Sequence, residues 1–166
     1  MKTLDQQMAV YASYHRNRWN KLTHFVGVPA IIFAVLIPLA WVRFGEHLSL
    51  ARTLVVAVLV YYFLLDVPLA LTMAVLLGAL LYAAERVADA GAWSGWAWFG
   101  IFFVGGWVFQ LAGHVFEGRK PALLDNLFQI FVAPIFLAAE VFFALGFRRE
   151  VLRKIEASSQ QTDSVK

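Results

Sequence analysis

The 166-residue chain contains no cysteine. That excludes disulfide frameworks, iron–sulfur clusters and thiolate metal sites, so any metal must be held by histidine, carboxylate or amide groups. Charge is scarce as well. Charged residues make up 15% of the chain and hydrophobic residues 61%, whereas soluble domains carry about 25% charged residues. The mean hydropathy is +0.68. A globule this small leaves too much surface exposed to hide so many apolar groups from water. A lipid solvent removes the conflict, and the composition reads as a single integral membrane domain. The net charge of +3 does not point to nucleic acid. The basic residues flank apolar runs as juxtamembrane Lys and Arg do, and no stacking motif is interleaved with them. Met1 to Asn20 lacks the pattern of a cleavable signal peptide, so the first span is the expected insertion signal.

What remains is a series of apolar runs separated by short polar breaks. Within residues 3–21, Leu4, Met8 and Tyr11 follow helical spacing, which predicts an amphipathic helix at the membrane interface. Phe25 to Val42 is an uncharged run of 18 residues, long enough to span, with Gly27, Pro29 and Pro38 as candidate kinks. Arg43 to Arg52 reads as a loop carrying His47, an expected interfacial hydrogen bonder. Thr53 to Ala84 is apolar for 32 residues apart from Asp66. One helix of that length would measure roughly 48 Å against a hydrocarbon core of about 30 Å. Asp66-Val67-Pro68 is the natural break, with Asp66 a candidate cap for the helix that follows. Glu85 to Gly91 reads as a loop, Trp93 to Gly113 as a span with Trp93, Trp96 and Trp98 as an aromatic belt, and Glu117 to Pro121 as a turn. Ala122 to Phe147 is apolar but contains Asp125, Asn126, Gln129, Pro134 and Glu140. The expected fold is an all-α integral membrane bundle of five or six helical segments plus an N-terminal interfacial helix. It forms one domain over residues 1–150, with a polar tail over 151–166.

Three histidines stand out in this setting. His15 and His24 lie in the polar stretch before the first span, and His114 lies at the end of the Trp-rich one. Three imidazoles with amide and carboxylate neighbours suit a metal site, although single boundary histidines also serve as interfacial hydrogen bonders. His15 and His24 are nine residues apart, so at about 100° per residue they point in opposite directions from one straight helix. Convergence requires a bend, expected between Asn17 and Asn20. Asn20 and His24, four apart, can be neighbours across one turn. Gln110, His114 and Glu117 share a helical face, and Glu117 could be a ligand, an acceptor for a ring N–H, or a base. If His24 and His114 share one membrane face, an even number of crossings separates them, so residues 53–84 must cross twice. Lys2, Arg16, Arg18 and Lys21 place that face inside. The basic C-terminal tail would also lie inside if the last apolar segment breaks at Pro134 into two half-length helices.

Two stretches carry a resemblance. Tyr14-His15-Arg16-Asn17, Asn20 and His24-Phe25-Val26-Gly27-Val28-Pro29 resemble the opening motif of the 2-hydroxy fatty acid dioxygenase family. Its fungal founder acts in the conversion of phytosphingosine to odd-numbered fatty acids. Gln110, Gly113-His114, Glu117, Lys120-Pro121-Ala122-Leu123, Asn126, Gln129 and Ala133-Pro134 resemble its second motif. The middle of the chain, residues 43–92, is similar only in hydropathy. The resemblance implies an Fe(II)-dependent enzyme that uses O2 to shorten a 2-hydroxy fatty acid by one carbon. It implies His15, His24 and His114 as iron ligands, while Glu117, Asn126 and Gln129 are candidates for supporting roles. Three protein ligands on one octahedral face would leave room for a chelating 2-hydroxy acid and O2. Arg16, Arg119 and Lys120 could attract the substrate carboxylate. Membrane lipids are the expected surroundings, in the cytoplasmic membrane of a bacterium or the endoplasmic reticulum of a eukaryote. The rival readings are a zinc-dependent membrane lipid hydrolase with Glu117 as base, and a non-catalytic lipid-binding or scaffold protein.

Overall fold

The computed structural model describes residues 4–118 and 129–155. Six helices follow one another: α1 (Leu4–Ser13), α2 (Arg18–Trp41), α3 (Leu50–Leu65), α4 (Val67–Asp89), α5 (Ala92–Glu117) and α6 (Gln129–Ala144). A short helix, α7, covers 149–155 and buries Ile155. No strand occurs among the described residues; one isolated bridge, Arg43 to Ser49, closes the loop after α2. The expected all-helical bundle is the architecture that forms. Helices α2, α4 and α5 are long and apolar enough to cross a membrane, and α3 and α6 are shorter apolar helices.

The long apolar run divides at Asp66. This residue is extended (φ −165°, ψ 114°) and its side chain accepts a hydrogen bond from the Leu69 N–H at 3.1 Å, capping α4 with Pro68 in the first turn. Helix α3, with 16 residues, is roughly 24 Å long, close to one crossing. At the opposite end α4 continues beyond the apolar run. Glu85 and Arg86, expected in a loop, belong to a helix that reaches Asp89. Ala84 and Ala88 face the core, so the charged residues between them turn outward. Glu85 then pairs with Arg52 at 2.6 Å.

Pairings between helix ends define the topology. At one end the Trp41 indole donates to the Ala88 carbonyl (3.1 Å), and Arg43 pairs with Asp89 (2.7 Å). The end of α2, the start of α3, the end of α4 and the start of α5 therefore meet there. The start of α2, the Asp66 junction and the end of α5 meet at the other end. His24 and His114 lie at that second end, separated by four helices, as the even-crossing argument required. Lys21–Glu140 (2.7 Å) and Arg148–Asp66 (2.6 Å) bring α6 and the approach to α7 to the same end. A break at Pro134, the condition considered for returning the tail inside, is absent, because α6 runs unbroken through it. The missing N–H costs one helical hydrogen bond, but Val132, Ile135, Phe136 and Ala139 are buried around it, and their packing holds the helix together.

Helices α2 and α5 form the most extensive pair, packed through small residues. A Cβ on Gly27 would stand 2.8 Å from the Gly106 carbonyl, and one on Gly95 would stand 2.5 Å from the Trp41 ring. Apolar packing alone gives helices little reason to associate in lipid, so close backbone approach contributes much of the attraction. Outward positions such as Val75, Trp93, Ile101 and Val104 are exposed, as lipid-facing positions would be.

The absence of cysteine makes the chain a ready background for labelling. Single substitutions Arg18→Cys and Arg149→Cys should react with an impermeant maleimide from one side of the membrane, and Glu46→Cys from the other. Labelling of Arg149→Cys from the Glu46 side would contradict the return of the C-terminal end.

Candidate metal centre

The chain turns sharply between α1 and α2, and this turn builds the centre. Helix α1 stops at Ser13 and α2 begins at Arg18, with Asn17 as its N-cap accepting from the Trp19 N–H (2.9 Å). The bend thus lies one turn earlier than the expected Asn17–Asn20 position, because the Asn17 side chain starts the next helix. Glu117, at the last position of α5, clamps the turn. Its Oε1 accepts from the Arg16 N–H (2.9 Å), and its Oε2 accepts from the Asn17 N–H (2.8 Å) and from the Asn20 amide (2.9 Å). The Asn17 amide donates back to the Phe116 carbonyl (2.8 Å). Gly118, left-handed at φ 68°, ends α5 directly after this carboxylate.

The clamp places His15, His24 and His114 in one buried group. Their ligand nitrogens lie within 4.8 Å of one another. The ring centroids form a near-equilateral triangle: 4.5 Å from His15 to His24, 5.2 Å from His15 to His114 and 5.1 Å from His24 to His114. His15 Nδ1 sits 2.9 Å from the Tyr11 carbonyl, and His24 Nδ1 sits 2.8 Å from the Asn20 carbonyl. A carbonyl can only accept, so both Nδ1 atoms carry hydrogen and both Nε2 atoms of the neutral rings present lone pairs. Those two Nε2 atoms face each other at 3.1 Å. Two lone pairs at that distance repel unless a proton or a cation lies between them. Burial, reinforced by the neighbouring His24, pushes the His15 pKa down to about 3, so a proton does not fill the role at neutral pH.

A metal ion fits the donor set. Two nitrogens bound at about 2.1 Å and at right angles lie about 3.0 Å apart. The His15 and His24 rings already have the backbone partners that fix a ligating tautomer. The neighbouring cavity, of about 140 Å³, is lined by the three histidines and by Tyr11, Gln129 and Trp107. Gln129 is buried there, and its Oε1 makes no hydrogen bond among the described residues. An unpaired buried amide oxygen is costly unless something in the cavity uses it.

The other sequence candidates separate clearly. Glu117 supports the centre from outside the ligand group. Arg16 is exposed on the clamped turn. Arg119, Lys120 and Asn126 lie outside the described residues. His47 sits in the exposed loop, where its carbonyl accepts from Arg52 (2.6 Å). Sequence reasoning used Tyr11 only for the spacing of the first helix and Gly113 only within a motif, and gave neither a part in the centre; Tyr11 stacks on His15 (centroids 4.0 Å, 4°). A Cβ on Gly113 would collide with the Thr23 hydroxyl and stand 2.5 Å from Asn20 Oδ1. The available signal was spacing. Gly95, Gly106 and Gly113, separated by 11 and 7 residues, fall on one helical face.

The fold and the buried trio define the class: an all-helical membrane protein with a three-histidine centre at one end of the bundle. Residues 1–145 match the Mpo1-like family, described as 2-hydroxy-palmitic acid dioxygenase Mpo1-like. A curated relative named 2-hydroxy-palmitic acid dioxygenase, from Saccharomyces cerevisiae, is 37% identical over 155 residues, covering 92% of this chain and 87% of the relative. The chain belongs to the Mpo1-like family. No solved structure matches it.

Glu117→Ala should weaken metal binding about 10–100-fold, the usual cost of losing an outer support, as read by competition with a chelator. His15→Ala should abolish binding. Unchanged affinity in Glu117→Ala would show that the turn holds its shape without the clamp.

Proposed function

We propose that the chain is an Fe(II)-dependent dioxygenase that shortens 2-hydroxy fatty acids by one carbon within the membrane. The reading is supported by the family and by the name of the yeast relative. The observation that carries it is the pair of Nε2 lone pairs facing each other at 3.1 Å beside a third buried imidazole. Nitrogen donors of this kind suit iron among several metals. O2 chemistry selects iron over zinc, which has no redox activity.

The reaction balances without an external reductant. A 2-hydroxy acid and O2 yield the acid one carbon shorter, CO2 and water. The C1–C2 bond breaks, the substrate loses four electrons and O2 gains them. Bound iron would supply O2 activation and a Lewis-acidic site for the substrate hydroxyl and carboxylate. The protein contributes position and dryness. The Tyr11 and Asn20 carbonyls hold two rings in their ligating tautomer. The Gln129 amide oxygen, buried at the cavity, is a candidate acceptor for the substrate hydroxyl. Val28, Ile31 and Ile32 form an apolar wall that excludes water. Arg16, on the turn above, is a candidate for drawing the carboxylate inward. By the positive-inside rule the centre lies at the cytoplasmic face.

The hydrolase reading requires a free base. Both Glu117 oxygens accept hydrogen bonds from the turn and from Asn20, which leaves that carboxylate poorly placed to take a proton from water. A scaffold role gives no reason for burying two opposed lone pairs.

Anaerobically purified protein loaded with Fe(II) should convert 2-hydroxypalmitate to the 15-carbon acid, consuming one O2 per product. Product formation under argon, or equal activity with zinc, would overturn the dioxygenase.

A further inference from the structure

The histidine cavity does not end at the histidines. Ile31, Ile32, Ile130 and Pro134 line it and also line a second space of about 190 Å³. This groove runs between α2, α3 and α6, with Val35 and Leu39 on one side and Leu54 and Val58 on the other. Among the described residues of the lining, Tyr62 carries the only side-chain hydroxyl, and it donates to the Phe131 carbonyl at 2.7 Å. The groove therefore offers hydrocarbon and no polar group seeking a partner. Val35, Leu54, Ile130 and Phe131 are exposed, so its rim opens sideways on the flank where lipid would lie.

We propose that this groove holds the acyl tail of the substrate, entered laterally from the bilayer, and that Leu39 and Leu54 set the length it accepts. The inference rests on the 2-hydroxy acid reading of the histidine centre. Two independent observations favour a tail over other occupants. The first is continuity: four residues belong to both spaces, so a molecule with its polar end at the histidines has an apolar route onward. The second is length. His24 to Leu39 is 15 residues along α2, about 22 Å of rise. A membrane acyl chain reaches about 15 Å, half of a hydrocarbon core of about 30 Å. A tail starting at the histidines ends near Ala34 and Val35, about one turn short of Leu39. A tail of about two thirds that length stops at Ile31, Ile32 and Ile130, where the two spaces join.

The test uses full-length protein in vesicles with 2-hydroxy fatty acids carrying a photoreactive diazirine on the terminal carbon, under argon. Crosslinking then needs neither turnover nor bound iron. The 16-carbon probe should label the Val35–Leu39 and Leu54–Val58 peptides, and a 10-carbon probe should shift the label to Ile31, Ile32 and Ile130. Leu39→Trp should lower kcat/KM for the 16-carbon acid at least roughly tenfold more than for the 10-carbon acid. Labels on the outer face of α5, or labels that ignore chain length, would overturn the groove. Groove labelling with no O2-dependent product would keep the tail site and overturn the dioxygenase. Product formation without groove labelling would do the reverse.

Discussion

The centre depends on one carboxylate at the end of one helix. Glu117 accepts two backbone N–H groups from the turn before α2 and a side-chain amide from the first turn of α2. Helical geometry alone sets His15 and His24 on opposite sides; that anchor, with the Asn17 cap and the Asn20 amide on the Tyr14 carbonyl (3.3 Å), holds the bend that turns them together. A carboxylate satisfying two adjacent backbone donors also resolves the polar groups that a chain reversal exposes beside lipid. The same helix end carries His114, three residues before Glu117. One rigid element thus supplies one candidate ligand and fixes the segment that supplies the other two. Gly113 lets the two segments touch, because a side chain there would occupy the space of Asn20 and Thr23.

The clamp concentrates unfavourable electrostatics. Two neutral imidazoles are buried with their lone pairs opposed, and an amide oxygen of Gln129 is buried nearby without a partner among the described residues. Such groups weaken a fold unless a ligand uses them. The surrounding packing, with Tyr11 stacked on His15 and Phe136 against Tyr11 at 4.7 Å, keeps the arrangement from relaxing. A cation entering this site meets ligands already turned toward it and needs little reorganisation to bind.

Much of this was legible in the chain. The break at Asp66 could be read because proline cannot continue a helix, and the excess length of the apolar run required a division there. A shared face for His24 and His114 required an even number of crossings, and the division of residues 53–84 at Asp66 supplies it. The bend between His15 and His24 was misplaced, because Asn17 reads equally as part of the turn or as the cap that ends it. Pro134 looked like a break, but buried packing outweighs one lost hydrogen bond. The loop expected at Glu85 is helix, since charges at a helix end can turn outward and pair. The attachment of Glu117 was beyond reach. Its helical spacing pointed to His114, whereas its partners lie about a hundred positions away. Only the packing of α2 on α5, carried by glycines at spacings of 11 and 7, brings them together.

The groove extends the same logic from the polar end of the bundle to the apolar one. A membrane protein that acts on a lipid must present reactive groups at one depth and hydrocarbon walls at the next. Ile31, Ile32, Ile130 and Pro134 mark that transition here. The central claim is that the three histidines are ligands of one metal ion. X-ray absorption at the iron edge, on protein loaded anaerobically with one Fe(II), examines it most directly. Multiple scattering from three imidazoles is the predicted result. A first shell made of oxygen alone, or scattering from a single imidazole, would contradict it.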